Sequence, residues 1–261
     1  MVVRIGTSGW QYRDWRGPFY PERLAQARWL ESYADRFATC ESNNAFYRLP
    51  ERATFEAWAA RTPPDFDLAV KMSRYLTHIL RLHDPAEPVE RFLDHACGLG
   101  DKLGPVLVQL PPSLKAEPER LDAVLRRLAP HVRVAVEFRH RSWFTDATRA
   151  LLERHAAALC LTDRRGPTSP RWRTADWTYL RFHQGRARPR PCYGRTALRT
   201  WAERLAEGWG GALDAWVYFN NDHRACAPRD AAVFARACER AGLAVTRSPR
   251  PSTIQPIRAR R

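Results

Sequence analysis

The sequence predicts an α/β protein, a single (β/α)8 TIM-type barrel that turns irregular after its sixth strand. Three observations predict it. Eight strand-like runs recur along 261 residues, helical patterns separate most of them, and the polar residues of the runs gather toward their C-terminal ends. An open doubly wound sheet is the main rival, but its G-x-G-x-x-G crevice motif is absent.

The strand runs occupy residues 3–9, 38–43, 66–73, 105–110, 132–139, 157–163, 178–183 and 215–220. The fifth is the clearest. In VRVAVEFRHRSW (132–143), Val132, Val134, Val136 and Phe138 share one face, while Arg133, Ala135, Glu137 and Arg139 share the other. Between the runs, residues 21–37 place Leu24, Ala27, Leu30, Tyr33, Ala34 and Phe37 at helical spacing, with proline in the first turn. Similar patterns cover 88–103, 118–128, 146–155, 195–205 and 228–241, the last stopped by Gly242. The sixth strand leads into a long loop, 164–176, instead of a clear helix. No linker divides the chain, so residues 1–247 are expected to form one barrel domain. Residues 248–261 form a basic, proline-containing tail with the composition of a flexible or loosely docked segment.

Hydrophobic residues make up 44% and aromatics 11%, enough for a sizeable core. No apolar run approaches the ~20 residues of a membrane helix. The N-terminus, MVVRIGTSGW, lacks a basic-then-apolar export layout. Cys40, Cys97, Cys160, Cys192, Cys226 and Cys238 are scattered without a C-x-x-C pair. Reduced thiols in a cytoplasmic protein are therefore expected. The net charge is +15, and only Lys71, Lys102 and Lys115 of the 43 bases are lysines. Such an excess favours polyanions, with the densest arginine clusters at 164–173 and 181–195.

The period-two split places a consistent set at the strand ends. It runs Ser8, Glu41 and Asn43, Lys71 and Ser73, Gln109, Glu137 and Arg139, Asp163, Arg181 and His183, and Asn220. Trp10, Tyr47, Trp143 and Tyr218 lie close to the same ends as candidate pocket walls. Three acids thus face three bases. A self-neutralising plug would explain them structurally, but buried ion pairs stabilise poorly and this end of a barrel is where sites are built.

The motifs GTSGW (6–10), CESNNAFYRLP (40–50), AVKMSRYLTH (69–78), VLVQLPPSL (106–114), VAVEFRHRSWF (134–144), YLRFH (179–183) and YFNND (218–222) resemble those of the YecE-like family. That family is a group of TIM-type barrels of unknown function. The resemblance spans about residues 2–241 and implies the fold but no reaction. Its motifs also take in Phe46, Thr77, His78, Pro111 and Asn221. This chain departs from the pattern after His183, where Gln184 precedes Gly185.

Three functions compete. The favoured one is a metal-independent enzyme acting on a small anionic or polyhydroxylated ligand. Glu41, Glu137 and His183 would be its catalytic acid–base groups. Ser8, Trp10, Asn43, Tyr47, Lys71, Gln109, Arg139, Trp143, Asp163, Arg181 and Asn220 would bind the ligand, arginines by their bidentate geometry. No cofactor or metal is expected, because the histidines and cysteines lack ligand spacing. The alternatives are a nucleic-acid-binding or -processing protein using the basic surface, with non-specific contacts expected in any case, and a non-catalytic binding barrel.

Overall fold

The computed structural model describes residues 1–163, 169–209 and 214–254. In chain order its elements are β1 (Val2–Thr7), α1 (Trp29–Ala34), β2 (Thr39–Ser42), α2 (Asn44–Tyr47), α3 (Arg52–Ala60) and β3 (Asp67–Lys71). There follow α4 (Ala86–Ala96), β4 (Leu103–Gln109), α5 (Pro118–Leu128), β5 (Val134–Glu137), α6 (Asp146–Arg154), β6 (Ala158–Thr162) and β7 (Trp177–Phe182). The chain ends with α7 (Arg195–Trp209), β8 (Asp214–Phe219), α8 (Cys226–Arg240) and β9 (Ala244–Val245). The protein is thus α/β, and all eight expected strands are present.

The helices follow the sequence less closely. Residues 21–37 yield only the 3-10 turn Gln26–Arg28 and the short α1. Aromatic packing overrides the helical spacing there. Tyr20 stacks on Trp29 at 4.8 Å, and the Trp29 indole donates to the Leu24 carbonyl at 3.3 Å, which holds 21–25 in an irregular turn. Helices α2 and α3, a π-helical turn at Tyr75–Ile79 and strand β9 add to the expected elements. Gly242 does end the last helix, at φ +80°.

The chain forms two compact units. The first is Met1–Glu41, Arg61–Phe66 and Leu180–Arg261; the second is Ser42–Ala60 and Asp67–Tyr179. In the first, β1 pairs in parallel with β8 on one side and β9 on the other. A parallel bridge joins Ser8, just beyond β1, to Glu41 of β2. The Asn220 N–H donates to the Phe182 carbonyl at 2.7 Å, linking the ends of β8 and β7. Helix α8 covers these strands with Phe234, whose ring meets the stacked Phe182–Phe219 pair. Each such fully buried ring contributes about 1.5–3 kcal/mol. At the start of the basic tail, Ile254 is buried, and Arg236 Nη2 donates to Ser248 Oγ at 3.0 Å. Residues 255–261 of that tail, and 164–168 of the sixth loop, lie outside the described residues.

The second unit is a parallel sheet ordered β3, β4, β5, β6. Its register sets Val70 beside Val106 and Gln109 beside Glu137, so charged and amide side chains finish adjacent strands at the same end. Helices α4 and α5 bury Val89, Phe92, Leu121, Val124, Leu125 and Leu128, the stripes expected from their spacing. After β6, residues 169–176 form no helix, as expected.

Two of the six cysteines depart from the expected reduced state. Cys192 and Cys226 form a disulfide that ties the segment after β7 to the first residue of α8. Their separation of 34 residues hides the pairing from any short-motif search. Cys40, Cys97, Cys160 and Cys238 form no disulfide among the described residues. No helix among the described residues is long and apolar enough to cross a membrane.

Candidate functional site

The expected site residues divide between the units. Ser8, Trp10, Glu41, Arg181, His183 and Asn220 belong to the first; Asn43, Tyr47, Lys71, Gln109, Glu137, Arg139, Trp143 and Asp163 belong to the second.

In the first unit, Arg181 Nη2 meets Glu41 Oε1 at 2.8 Å, and both side chains are almost wholly buried, at 1% and 0% exposure. Arg181 and His183 sit two residues apart at the end of β7, which aims them to one side of the sheet. Asn220 Nδ2 lies 3.2 Å from His183 Nδ1. The Ser8 hydroxyl is buried and has no hydrogen-bond partner among the described residues. Tyr12 extends the cluster by donating its hydroxyl to the Ser8 carbonyl at 2.5 Å. Burial first, and then the Asp222 carboxylate, push the Tyr12 phenol far above its ordinary range. Trp10 is buried, and its carbonyl accepts from Tyr20.

Beyond β7 the chain is held tightly. Gly185 packs so closely on Cys192 that a Cβ would fall 2.1 Å from the Cys192 carbonyl oxygen. The Tyr193 N–H and Asn221 Nδ2 both donate to Asp230 Oδ2, at 2.7 and 2.8 Å. Arg229 Nη1 meets the other Asp230 oxygen at 2.9 Å. Asn221 therefore anchors structure here. Burial dominates these bonds and raises the Asp230 carboxyl from 3.8 to about 6. A carboxyl raised by folding adds stability below its unfolded pKa and loses it as pH rises through the folded value. The Asp230 contribution to stability should therefore fall by roughly 3 kcal/mol between about pH 4 and pH 7, at ~1.36 kcal/mol per pKa unit. Urea unfolding of the wild type and Asp230→Asn reads it as the difference between the two, because the lowered His78 imidazole gives the wild type an opposite slope over the same range. A difference that does not change with pH would refute the assignment.

In the second unit, buried Glu137 accepts from Arg139 Nε at 2.8 Å, and Arg139 Nη2 donates to Gln109 Oε1 at 2.8 Å. Lys71 Nζ sits 3.6 Å from the centre of the Phe46 ring, a short cation–π contact. The other side of the cluster is His78, which meets Phe46 edge to face at 5.0 Å. Burial, then the charges of Lys71, Arg139 and Arg74, lower the His78 imidazole to about 4. Tyr47, Tyr75 and Ile79 are large hydrophobic residues left exposed on the two segments that carry Phe46 and His78. Asn43 stands at the head of α2 with its Oδ1 buried and unbonded among the described residues, and Asp163 is half-buried past β6.

Trp143 takes a different place from the pocket wall expected of it. It is fully buried, stacks on Phe138 at 4.8 Å and donates its indole N–H to the Leu114 carbonyl at 2.9 Å. Tyr218 is likewise internal, its hydroxyl 2.6 Å from Thr39 Oγ1.

Tyr12, Phe46, His78, Asp222 and Asp230 join the clusters without having been assigned site roles from sequence. His78 and Phe46 stand inside motifs that were legible. Asp230 was hidden because an acid in a helix's first turn ordinarily complements the dipole at the surface. Among the described residues no three of His, Cys, Asp and Glu converge as a metal ion would need.

A family model described as protein of unknown function DUF72 matches residues 4–255. A DUF72 family protein from Thermotoga maritima shares 30% identity, with a TM-score of 0.77 over 92% of this chain and all of that one. One from Enterococcus faecalis, at 18% identity, gives 0.75 over 91% of this chain and 95% of that one, and shows the fold alone. A xylose isomerase-like TIM barrel/4-hydroxyphenylpyruvate dioxygenase fusion protein, at 15% identity, gives 0.52 over 95% of this chain and 46% of its own, likewise a fold similarity. No curated protein matches. With nearly its whole length matched by the model and by a solved relative, the chain belongs to DUF72, the YecE-like family, with a TIM-barrel-like fold.

Proposed function

We propose that the protein is a metal-independent enzyme acting on a small polyhydroxylated or anionic ligand at the C-terminal ends of its strands, in a (β/α)8 arrangement. One observation carries this: the buried Glu41–Arg181 pair adjoins a buried Ser8 hydroxyl that has no partner among the described residues. An orphaned buried hydroxyl costs about 1–3 kcal/mol, a cost that a hydroxylated ligand would relieve. Glu41 would serve as general base and His183 as the proton donor.

The nucleic-acid alternative draws on a groove of about 520 Å³ between α7 and α8, lined by Arg195, Arg199, Arg236 and Arg240. Arg236 is already paired with Glu239 at 2.8 Å and Arg199 lies 3.7 Å from Glu203, so half of that charge is compensated. The groove supports surface contact with polyanions more than chemistry on them.

Ser8→Ala separates a ligand role from a packing role. Loss of the orphan should raise stability by about 1 kcal/mol. The same change should abolish the thermal shift that some member of a panel of pentoses, hexoses and hydroxy acids gives the wild type. If no member shifts the wild type, or if Ser8→Ala responds as the wild type does, the proposed site is wrong.

A further inference from the structure

The groove between α7 and α8 in the first unit offers more than a charged surface. Arg195, Arg199 and Glu203 recur every four residues along α7, and Arg236 and Arg240 do so along α8, so each set shares one helix face. Both faces line the same cavity of about 520 Å³. That volume falls within the ordinary range of small-molecule sites. Val233 and Ala237 of α8, Ala241 just past its end and Pro251 form the apolar part of the lining.

The cations are unequally compensated. Arg236 pairs with Glu239 at 2.8 Å, and Arg199 lies 3.7 Å from Glu203. Arg195 and Arg240 are exposed and make no ion pair among the described residues. Residues 164–168, 210–213 and 255–261 contain no Asp or Glu, so no acidic side chain there can pair with them. Arg195 opens α7, whose first turn holds no acid, so the helix dipole adds to its positive charge instead of offsetting it.

We propose that this groove binds a small organic anion, a phosphate or carboxylate carried on an apolar ring or chain. Arg195 and Arg240 hold the charged group by charge-assisted hydrogen bonds, and the apolar lining takes the body of the ligand. An inorganic ion would leave that lining wet, and a neutral hydrocarbon would leave the two arginines without a counter-charge. The lining holds no His, Cys, Lys or Asp among the described residues, and Glu203 is beside Arg199, so the groove binds its ligand without acting on it. It shares no lining residue with the Ser8, Glu41 and Arg181 cluster, and the proposal does not rest on the strand-end reading.

The probes are 1-naphthyl phosphate, inorganic phosphate, 1-naphthol and an oligothymidylate, followed by calorimetry on the full chain. Naphthyl phosphate should bind about tenfold tighter than inorganic phosphate, as roughly 60 Å² of ring removed from water predicts, and naphthol more weakly than naphthyl phosphate. The double variant Arg195→Gln with Arg240→Gln should weaken naphthyl phosphate at least about tenfold. Ala237→Leu, which fills the apolar side, should bring naphthyl phosphate down to the affinity of inorganic phosphate and leave inorganic phosphate unchanged. These arginines are exposed, and unchanged unfolding midpoints in urea confirm that the variants fold. Equal affinity for naphthyl and inorganic phosphate overturns the apolar half of the proposal. Affinity that survives the double arginine variant, or no binding of either phosphate, overturns the site itself. An oligothymidylate that binds more tightly than naphthyl phosphate and loses that affinity in the double variant makes the groove a nucleic-acid contact and overturns the small-ligand assignment. Ser8→Ala should leave naphthyl phosphate binding as it is, so failure here and failure of the strand-end site are distinguishable.

Discussion

Arg181→Met is expected to cost about 3–5 kcal/mol of stability, the usual penalty for removing one partner of a buried ion pair. Glu41 and Arg181 are 0% and 1% exposed, so water cannot screen the carboxylate that remains. The double variant Glu41→Gln with Arg181→Met should recover most of the loss, because it removes both charges together. Guanidinium unfolding midpoints of the four proteins form a double-mutant cycle. A coupling below about 0.5 kcal/mol would show that the pair is not the buried unit that its geometry describes. In the same variants, recovered stability without recovered ligand response would mark the pair as site chemistry, and recovery of both would mark it as a structural plug.

Trp143→Ala should cost a similar amount, about 3–5 kcal/mol, through the cavity it opens. The indole has no exposed surface, stacks on Phe138 and caps the Leu114 carbonyl. Trp143→Phe should retain much of the stacking and lose the indole hydrogen bond, for about 1–3 kcal/mol. Both are measured by chemical unfolding. A cost within 1 kcal/mol for the alanine variant would return Trp143 to the role of an exposed wall.

The two experiments differ in how far the residues concerned were legible. Glu41 and Arg181 were placed by alternation alone, since a β-strand sends every second side chain to the same face and the apolar set names the other. Gln109, Glu137 and Arg139 were found in the same way, and the register of β4 with β5 brings them together. Trp143 follows the strand in a 3-10 turn, where alternation no longer fixes direction, and its burial was not legible. His78 is the parallel case. It sits in a motif that was read, but its π-helical turn and the cations around it come from separate elements.

Short-range order accounts for what the sequence determined by itself: eight strands, most of the long helices, the Gly242 stop and the polar strand ends. Each follows from backbone periodicity or the stereochemistry of one residue, and neither needs a distant partner. The tertiary structure alone decided the Cys192–Cys226 pairing, the collapse of residues 21–37 around Tyr20 and Trp29, the burial of Asp230 and the neutrality of His78. Apart from the short-range stacking of Tyr20 on Trp29, each of these depends on which groups from distant parts of the chain become neighbours, and on the water they exclude. Desolvation and charge act through space, so no local pattern of residues encodes them.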